Sequence, residues 1–194
     1  MSSKDTKKRD ELKIVTPPFR MSFANLFKPK SNFDNQEPKY SCDMLFSKKE
    51  DLTALKKAAA IVKRAKWGDK TPKNFRNPFK DGDEKELEDY KGKVFITAQS
   101  KMKPGIIDKN KEEILDQSEV YSGMWARATV VPYAYEVKGN AGIGFGLRNI
   151  MKIKDDEAFS GRSNPLDDFA DVEVDDSDDD AGDDSEAGDD DLDF

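Results

Sequence analysis

Residues 165–194 of this 194-residue chain carry 16 aspartates and glutamates and not one lysine or arginine. Like charges at that density repel, and the segment has few apolar side chains to bury. It cannot recover the conformational entropy that folding would cost. A packed domain must therefore come from the residues before it. Residues 1–164 carry 33 basic and 24 acidic side chains, so the body is formally +9 and the segment −16, although the whole chain reads −7. A basic body joined to an acidic segment is the pattern of a domain that binds a polyanion and carries an imitation of one.

The rest of the composition narrows the chemistry. With 36% hydrophobic and 38% charged residues, the chain can bury one modest core. No apolar run approaches the roughly 20 residues needed to span a bilayer. The polar start, Met1-Ser2-Ser3-Lys4-Asp5, lacks the apolar stretch of a secretory signal. Cys42 has no second cysteine to pair with, which fits a reducing, intracellular compartment. The absence of histidine removes the usual general base near neutral pH and the commonest metal ligand. With one cysteine there is no Cys/His zinc site either. These absences point to a binding protein without a cofactor, not an enzyme. The catalytic rival is a magnesium-dependent nuclease using Asp81, Asp83, Glu84 or Asp108. Those carboxylates sit in turn-like, lysine-rich surroundings and form no strand-end cluster.

The chain divides into a frayed N-terminus (1–11), one domain (12–160) and a disordered acidic tail (161–194). Period-two alternation predicts strands over 19–27 and 39–46. Phe19, Met21, Phe23 and Phe27 share one face of the first, and Tyr40, Cys42, Met44 and Phe46 share one face of the second. Ser47-Lys48-Lys49-Glu50 reads as a capping box. After it Leu52, Leu55, Ala59 and Val62 recur at helical spacing as far as Gly68. Residues 70–90 form a long excursion with Thr71-Pro72, Asn77-Pro78 and an Asp81-Gly82-Asp83 turn. Strands resume over 93–101, 124–137 and 141–153, the last two joined by a hairpin at Lys138-Gly139-Asn140. A short helix is expected over 110–117. Five short strands and one helix predict a mostly β fold: an OB-fold-like five-stranded Greek-key barrel with one main α-helix. A sandwich or open sheet would give a similar string.

The strand faces carry the functional reading. Met124, Ala126, Ala128, Val130, Pro132 and Ala134 are small and suit a barrel interior, which sends Trp125, Arg127, Tyr133 and Tyr135 outward. In the preceding strand Val94, Ile96, Ala98 and Ser100 form the inner set and Lys93, Phe95, Thr97, Gln99 and Lys101 the outer. In the last strand Ile143, Phe145 and Leu147 face the core. Gly142, Gly144, Gly146, Arg148 and Lys152 lie opposite. Rings, cations and bare backbone together suit a single nucleic-acid strand. Bases stack on rings without regard to sequence, and Lys and Arg neutralise phosphates. The expected DNA-binding residues are Lys93, Phe95, Lys101, Lys103, Trp125, Arg127, Tyr133, Tyr135, Arg148 and Lys152. The plainer reading is that rings on strands are core. Trp125 or Tyr133 could pack under the excursion, Phe75, Phe79 and Tyr90 could anchor it, and Trp67 suits a core anchor.

The acidic segment ends in Asp189, Asp190, Asp191, Leu192, Asp193 and Phe194. Solubility alone needs neither Leu192 nor Phe194. A ring beside a carboxylate and aspartates is a docking peptide for an apolar pocket rimmed by Lys or Arg.

The run Tyr121-Ser122-Gly123-Met124-Trp125-Ala126-Arg127-Ala128 resembles a family of bacteriophage single-stranded DNA-binding proteins. So do Val131-Pro132-Tyr133-Ala134-Tyr135, Gly142 through Ile150, Tyr90 through Ile96, and Pro104-Gly105-Ile106-Ile107-Asp108. The resemblance covers roughly residues 19–159. It implies an OB-fold and a role in phage DNA replication, recombination or repair in the cytoplasm of an infected bacterial cell. It also implies tail contacts to a polymerase, helicase or primase. On this reading the body binds single-stranded DNA, the tail competes for the same groove, and displacement frees Phe194 to recruit replication enzymes. The rival from another class is an acidic-tailed chaperone or adaptor for basic proteins. An exposed strand edge or exchanged tails would allow a homodimer.

Overall fold

The computed structural model describes residues 12–31, 37–137 and 139–159. The expectations for residues 1–11, for Lys138 of the hairpin and for residues 160–194, including Leu192 and Phe194, lie outside the described residues.

Nine strands and one α-helix are present among the described residues. In chain order they are β1 (Ile14–Val15), β2 (Phe19–Lys30), β3 (Lys39–Ser47), α1 (Thr53–Trp67), β4 (Phe75–Arg76), β5 (Lys80–Asp81), β6 (Lys93–Ser100), β7 (Gly105–Ile107), β8 (Trp125–Val137) and β9 (Asn140–Lys154). The five long strands close a ring, β8–β2–β3–β6–β9–β8, antiparallel except where β6 meets β9. Numbered among themselves, they run first, second, third, fifth, fourth and back to the first. That order is the Greek-key barrel of the OB type. The alternating faces close it: Phe19, Met21, Met44, Phe46, Ile96 and Phe145 are buried inside. Leu55 and Ala59 of α1 join the same core, so the helix seals one side.

Three local expectations are corrected. Phe23, assigned to the core face of β2, is half exposed with φ +48°. The β2–β3 register shifts between Ser22 and Asn25, and beyond the shift Leu26 takes the buried position. Second, Ser47-Lys48-Lys49-Glu50 is not the helix cap. Ser47 still pairs with Lys93 in the β3–β6 ladder, so its backbone is extended, and a turn follows. The helix begins at Thr53, whose N–H donates to Asp51 Oδ1 at 2.9 Å. Third, the short helix expected over 110–117 is absent: residues 110–116 are not helical, and Gln117 only opens a 3-10 turn, Gln117–Glu119. Asp108 Oδ1 accepts from the N–H groups of Asn110 (2.8 Å) and Glu112 (2.9 Å). This side-chain turn sends the chain back along β7, where Glu113 bridges Ile107.

The excursion is anchored to the outside of the barrel. Tyr90 and Phe95 meet edge to face at 5.0 Å and bury Leu45 with them, forming a small second core on the outer face of β3 and β6. Beside it the buried carboxylate of Asp43 accepts from the Tyr90 hydroxyl (2.7 Å), the Thr97 hydroxyl (2.6 Å) and the Lys85 ammonium (2.9 Å). A buried charge is tolerable only with such partners, and two of these three come from the excursion.

Candidate nucleic-acid interface

On the outer face of β6, β8 and β9 lies a cleft of about 530 Å3. Tyr133, Tyr135, Gln99 and Thr97 form its floor, and Lys39, Arg76 and Lys80 stand around it. Each tyrosine faces a glycine across the β8–β9 ladder, Tyr133 opposite Gly144 and Tyr135 opposite Gly142. A Cβ at Gly144 would come within 2.6 Å of the Tyr133 ring, and one at Gly142 within 2.7 Å of the Tyr135 hydroxyl. The glycines are therefore seats for the chain's own rings. The two ring centroids are 6.4 Å apart. The Gln99 side-chain amide donates to the Tyr133 hydroxyl at 3.3 Å, and burial pushes that phenol's pKa up, keeping it protonated.

The cleft is basic. The acidic residue in its lining, Glu37, is paired with Lys101. Arg76 is steered by Asn140 Oδ1 at 3.1 Å, and β4 holds it in parallel pairing with β9. Lys80 reaches the cleft from β5, which pairs with β6. Phe79 anchors this stretch by packing on core Phe145 at 6.0 Å, and Phe75 packs on Trp67 at 5.8 Å. The excursion thus delivers two cations, Arg76 and Lys80, that strand alternation does not reveal. Their sequence signal is only the basic side chains that accompany the excursion's buried rings. Lys39 is also new to the site. It lies on the polar face of β3 beside Ser41, which pairs with Gln99.

The remaining expected site residues divide. Tyr133 and Tyr135 come together in the cleft. Arg127 and Arg148 are exposed on β8 and β9. Lys101 is exposed and paired with Glu37, and Lys103 is exposed 5.0 Å above the Phe27 ring. Lys93 bonds the Asp89 carbonyl at 2.7 Å, tying down the excursion.

Two residues need correction as open contacts. Phe95 does point outward, but Tyr90 covers it and it is 4% exposed. Lys152 is drawn off the glycine face by a bulge: Val130 pairs with Leu147 while Thr129 pairs with Asn149, so β9 carries one extra residue. Beyond it the alternation flips, placing Lys152 on the same side as buried Ile150. Lys152 donates to the Glu119 carbonyl (2.9 Å) and pairs with Asp155 (2.8 Å).

Trp125 is half-buried within a clasp formed by residues 155–159. Its indole N–H donates to Asp156 Oδ2 at 2.6 Å, and Arg20 pairs with the same carboxylate at 3.0 Å. Arg20 lies between the Trp125 ring (5.6 Å) and the Phe159 ring (4.7 Å). The Phe159 N–H donates to the Ser122 carbonyl at 2.9 Å. Gly123, with φ +117°, leaves room for the clasp, since a Cβ there would lie 2.2 Å from the Glu157 carbonyl oxygen. The Trp125 bond holds the Asp156 carboxyl below the usual range, and the Lys152 bond does the same for Asp155.

Among the described residues no group of three or more His, Cys, Asp or Glu could hold a metal ion, and no helix is long and apolar enough to cross a membrane. Asp81 and Asp83 instead receive Lys48 at 3.1 and 2.5 Å.

Comparison with known proteins places this geometry. A family model described as the single-stranded DNA-binding protein of Enterobacter phage Enc34 matches residues 12–181. A putative protein, p50, of Acyrthosiphon pisum secondary endosymbiont phage 1 is 30% identical over 162 residues, covering 77% of this chain and 88% of that relative. The structure of the bacteriophage Enc34 single-stranded DNA-binding protein in complex with single-stranded DNA superposes with a TM-score of 0.68 at 26% identity, over 77% of this chain and 90% of that one. Bacteriophage T7 gp2.5, a single-stranded DNA-binding protein, shares the fold at 13% identity with a TM-score of 0.52, over 88% of this chain and 98% of that one.

Proposed function

The chain belongs to the family of the Enterobacter phage Enc34 single-stranded DNA-binding protein, and from that premise we propose that it binds single-stranded DNA in the Tyr133–Tyr135 cleft. The observation that carries this reading is the cleft itself: two half-buried rings seated on glycines, ringed by Lys39, Arg76 and Lys80. Bases stack on the tyrosines, the cations neutralise phosphates, and Gln99 and Thr97 supply hydrogen-bonding groups. A duplex hides its base faces, so the rings select single strands. Arg127, Arg148, Lys101 and Lys103 continue the phosphate path beyond the cleft. One such barrel covers roughly 4–16 nucleotides. The protein acts by binding, with no bond made or broken.

In this reading the protein coats and protects single strands during phage DNA replication and recombination in the infected cell. The acidic residues 165–194 compete with DNA for the basic body, and tethering gives them a high effective concentration. Once displaced, Leu192 and Phe194 dock on a polymerase, helicase or primase. The test is a salt series of binding to a fluorescent single-stranded oligonucleotide, with duplex as competitor, for the full chain and for residues 1–164. Preference for single strands, with tighter binding by the shorter form at low salt, supports the groove and the competing tail. Equal competition by duplex overturns the groove, and equal affinity of the two forms overturns the competition.

A further inference from the structure

Phe23 costs the fold twice, and its ring meets the fold at Tyr90, 6.4 Å between centroids. It is 51% exposed although its strand neighbours Phe19 and Met21 are fully buried. Its φ of +48° is a left-handed conformation that a bulky side chain rarely adopts. The register shift that puts it there is held in place, with the Asn25 side-chain amide donating to the Phe23 carbonyl at 3.1 Å. Strain kept at an exposed ring is a mark of a functional position.

Its surroundings say which function. Lys85 Nζ stands 4.7 Å from the Phe23 ring, 4.0 Å from Tyr90 and 4.6 Å from Phe95. Lys80 Nζ lies 5.3 Å from the same Phe95 ring. Lys80 also lines the tyrosine cleft. A line of side chains thus runs from Tyr135 and Tyr133 on β8 past Gln99 and Lys80, over the buried Phe95 ring and Lys85, to Phe23 on β2. It begins and ends on rings and carries cations between them.

We propose that Phe23 is a second base-stacking station for single-stranded DNA, at the far end of this track. The proposal rests on the reading of the cleft as a single-strand site. The occupant is nucleic acid because the track shares Lys80 with that cleft and this cation complements phosphates. Lys80 carries the backbone between the two stations, Lys85 being held by the buried Asp43 carboxylate, and bases stack at either end.

The test uses the full chain, thymidine oligonucleotides of about 5 and about 20 nucleotides, and three variants. Phe23→Asn relieves the left-handed strain, since asparagine tolerates that conformation. Its melting temperature should equal or exceed that of the parent. Its affinity for the longer oligonucleotide should fall about tenfold, in line with the loss of one stacked base, while affinity for the shorter one is kept. Phe23→Leu retains an apolar side chain on the same backbone and should lose the same affinity for want of a ring. Tyr133→Ala should weaken binding to both lengths. Unchanged affinity of Phe23→Leu or Phe23→Asn for the longer oligonucleotide overturns this inference alone. Failure of the parent protein to bind either length overturns the single-strand reading with it. A protein partner at Phe23 would show as a fully retained DNA affinity and counts against the proposal.

Discussion

Tyr133 stands across from Gly144 in the β8–β9 ladder, so close that a single methyl group on the glycine would lie 2.6 Å from the ring. Gly142 makes the same room for Tyr135. Glycines inside a strand weaken it, and here the loss is offset by two rings that lie over the bare backbone and form the cleft floor.

Gly144→Ala should therefore act on Tyr133 without touching it in sequence. The ring must tilt, and its bond from Gln99 at 3.3 Å should break. We expect single-strand affinity to fall by about 1–3 kcal/mol, as for loss of a stacked base. A fluorescence titration measures it, with Tyr133→Ala as the reference. Parent-like affinity in Gly144→Ala would mean that the ring's seating is irrelevant to binding.

The salt dependence of binding separates cations in the cleft from cations that serve the fold. Arg76→Ala and Lys80→Ala should each reduce the slope of log affinity against log salt by about 0.7. Lys152→Ala should leave the slope as it is, because that side chain is 12% exposed and engaged by Asp155. A slope lowered by Lys152→Ala and not by Lys80→Ala would relocate the phosphate path.

Tyr90→Phe removes one donor from the buried Asp43 carboxylate and leaves Lys85 and Thr97. A hydrogen bond to a charged group contributes about 1.5–3 kcal/mol. For a domain of this size the melting temperature should drop by roughly 3–12 °C. Thermal unfolding followed by circular dichroism reads it. No change would show that Asp43 is satisfied without the phenol.

The clasp should open in acid. Both Asp155 and Asp156 have carboxyls held below the usual range, by Lys152 and by Trp125 respectively as the largest causes. A depressed folded pKa means that the stabilisation is fully present above the ordinary carboxylate pKa, about 4. It is lost as pH falls through the lower folded values. Tryptophan emission should thus be flat from neutral pH to about 4 and change below it. The change should be absent in Trp125→Phe, and Asp156→Ala should show the released signal already at neutral pH. A transition well above pH 4 would point to another group.

Much of this is legible in the sequence. The inner sets Met124, Ala126, Ala128 and Val130 and Ile143, Phe145 and Leu147 are buried as their alternation predicts. Tyr133 and Tyr135 point outward into the cleft. Alternation failed where a strand gained a residue, at Phe23 in β2 and past Arg148 in β9. A bulge has no compositional mark of its own, yet it reverses every side chain beyond it.

The sequence by itself determined how many long strands the body has and, up to each bulge, which face of a strand is apolar. Those properties are local, because the pleat imposes a period of two. Tertiary structure decided which outward rings are open. Phe95 and Tyr133 both point away from the core, but Tyr90 covers the first and leaves the second. It also decided that Arg76 and Lys80, from an excursion without periodicity, complete the cleft. Covering and gathering depend on segments far apart in the chain, brought together by Asp43 and by the pairing of β4 and β5 with the barrel. A pattern confined to neighbours along the chain carries no record of such contacts.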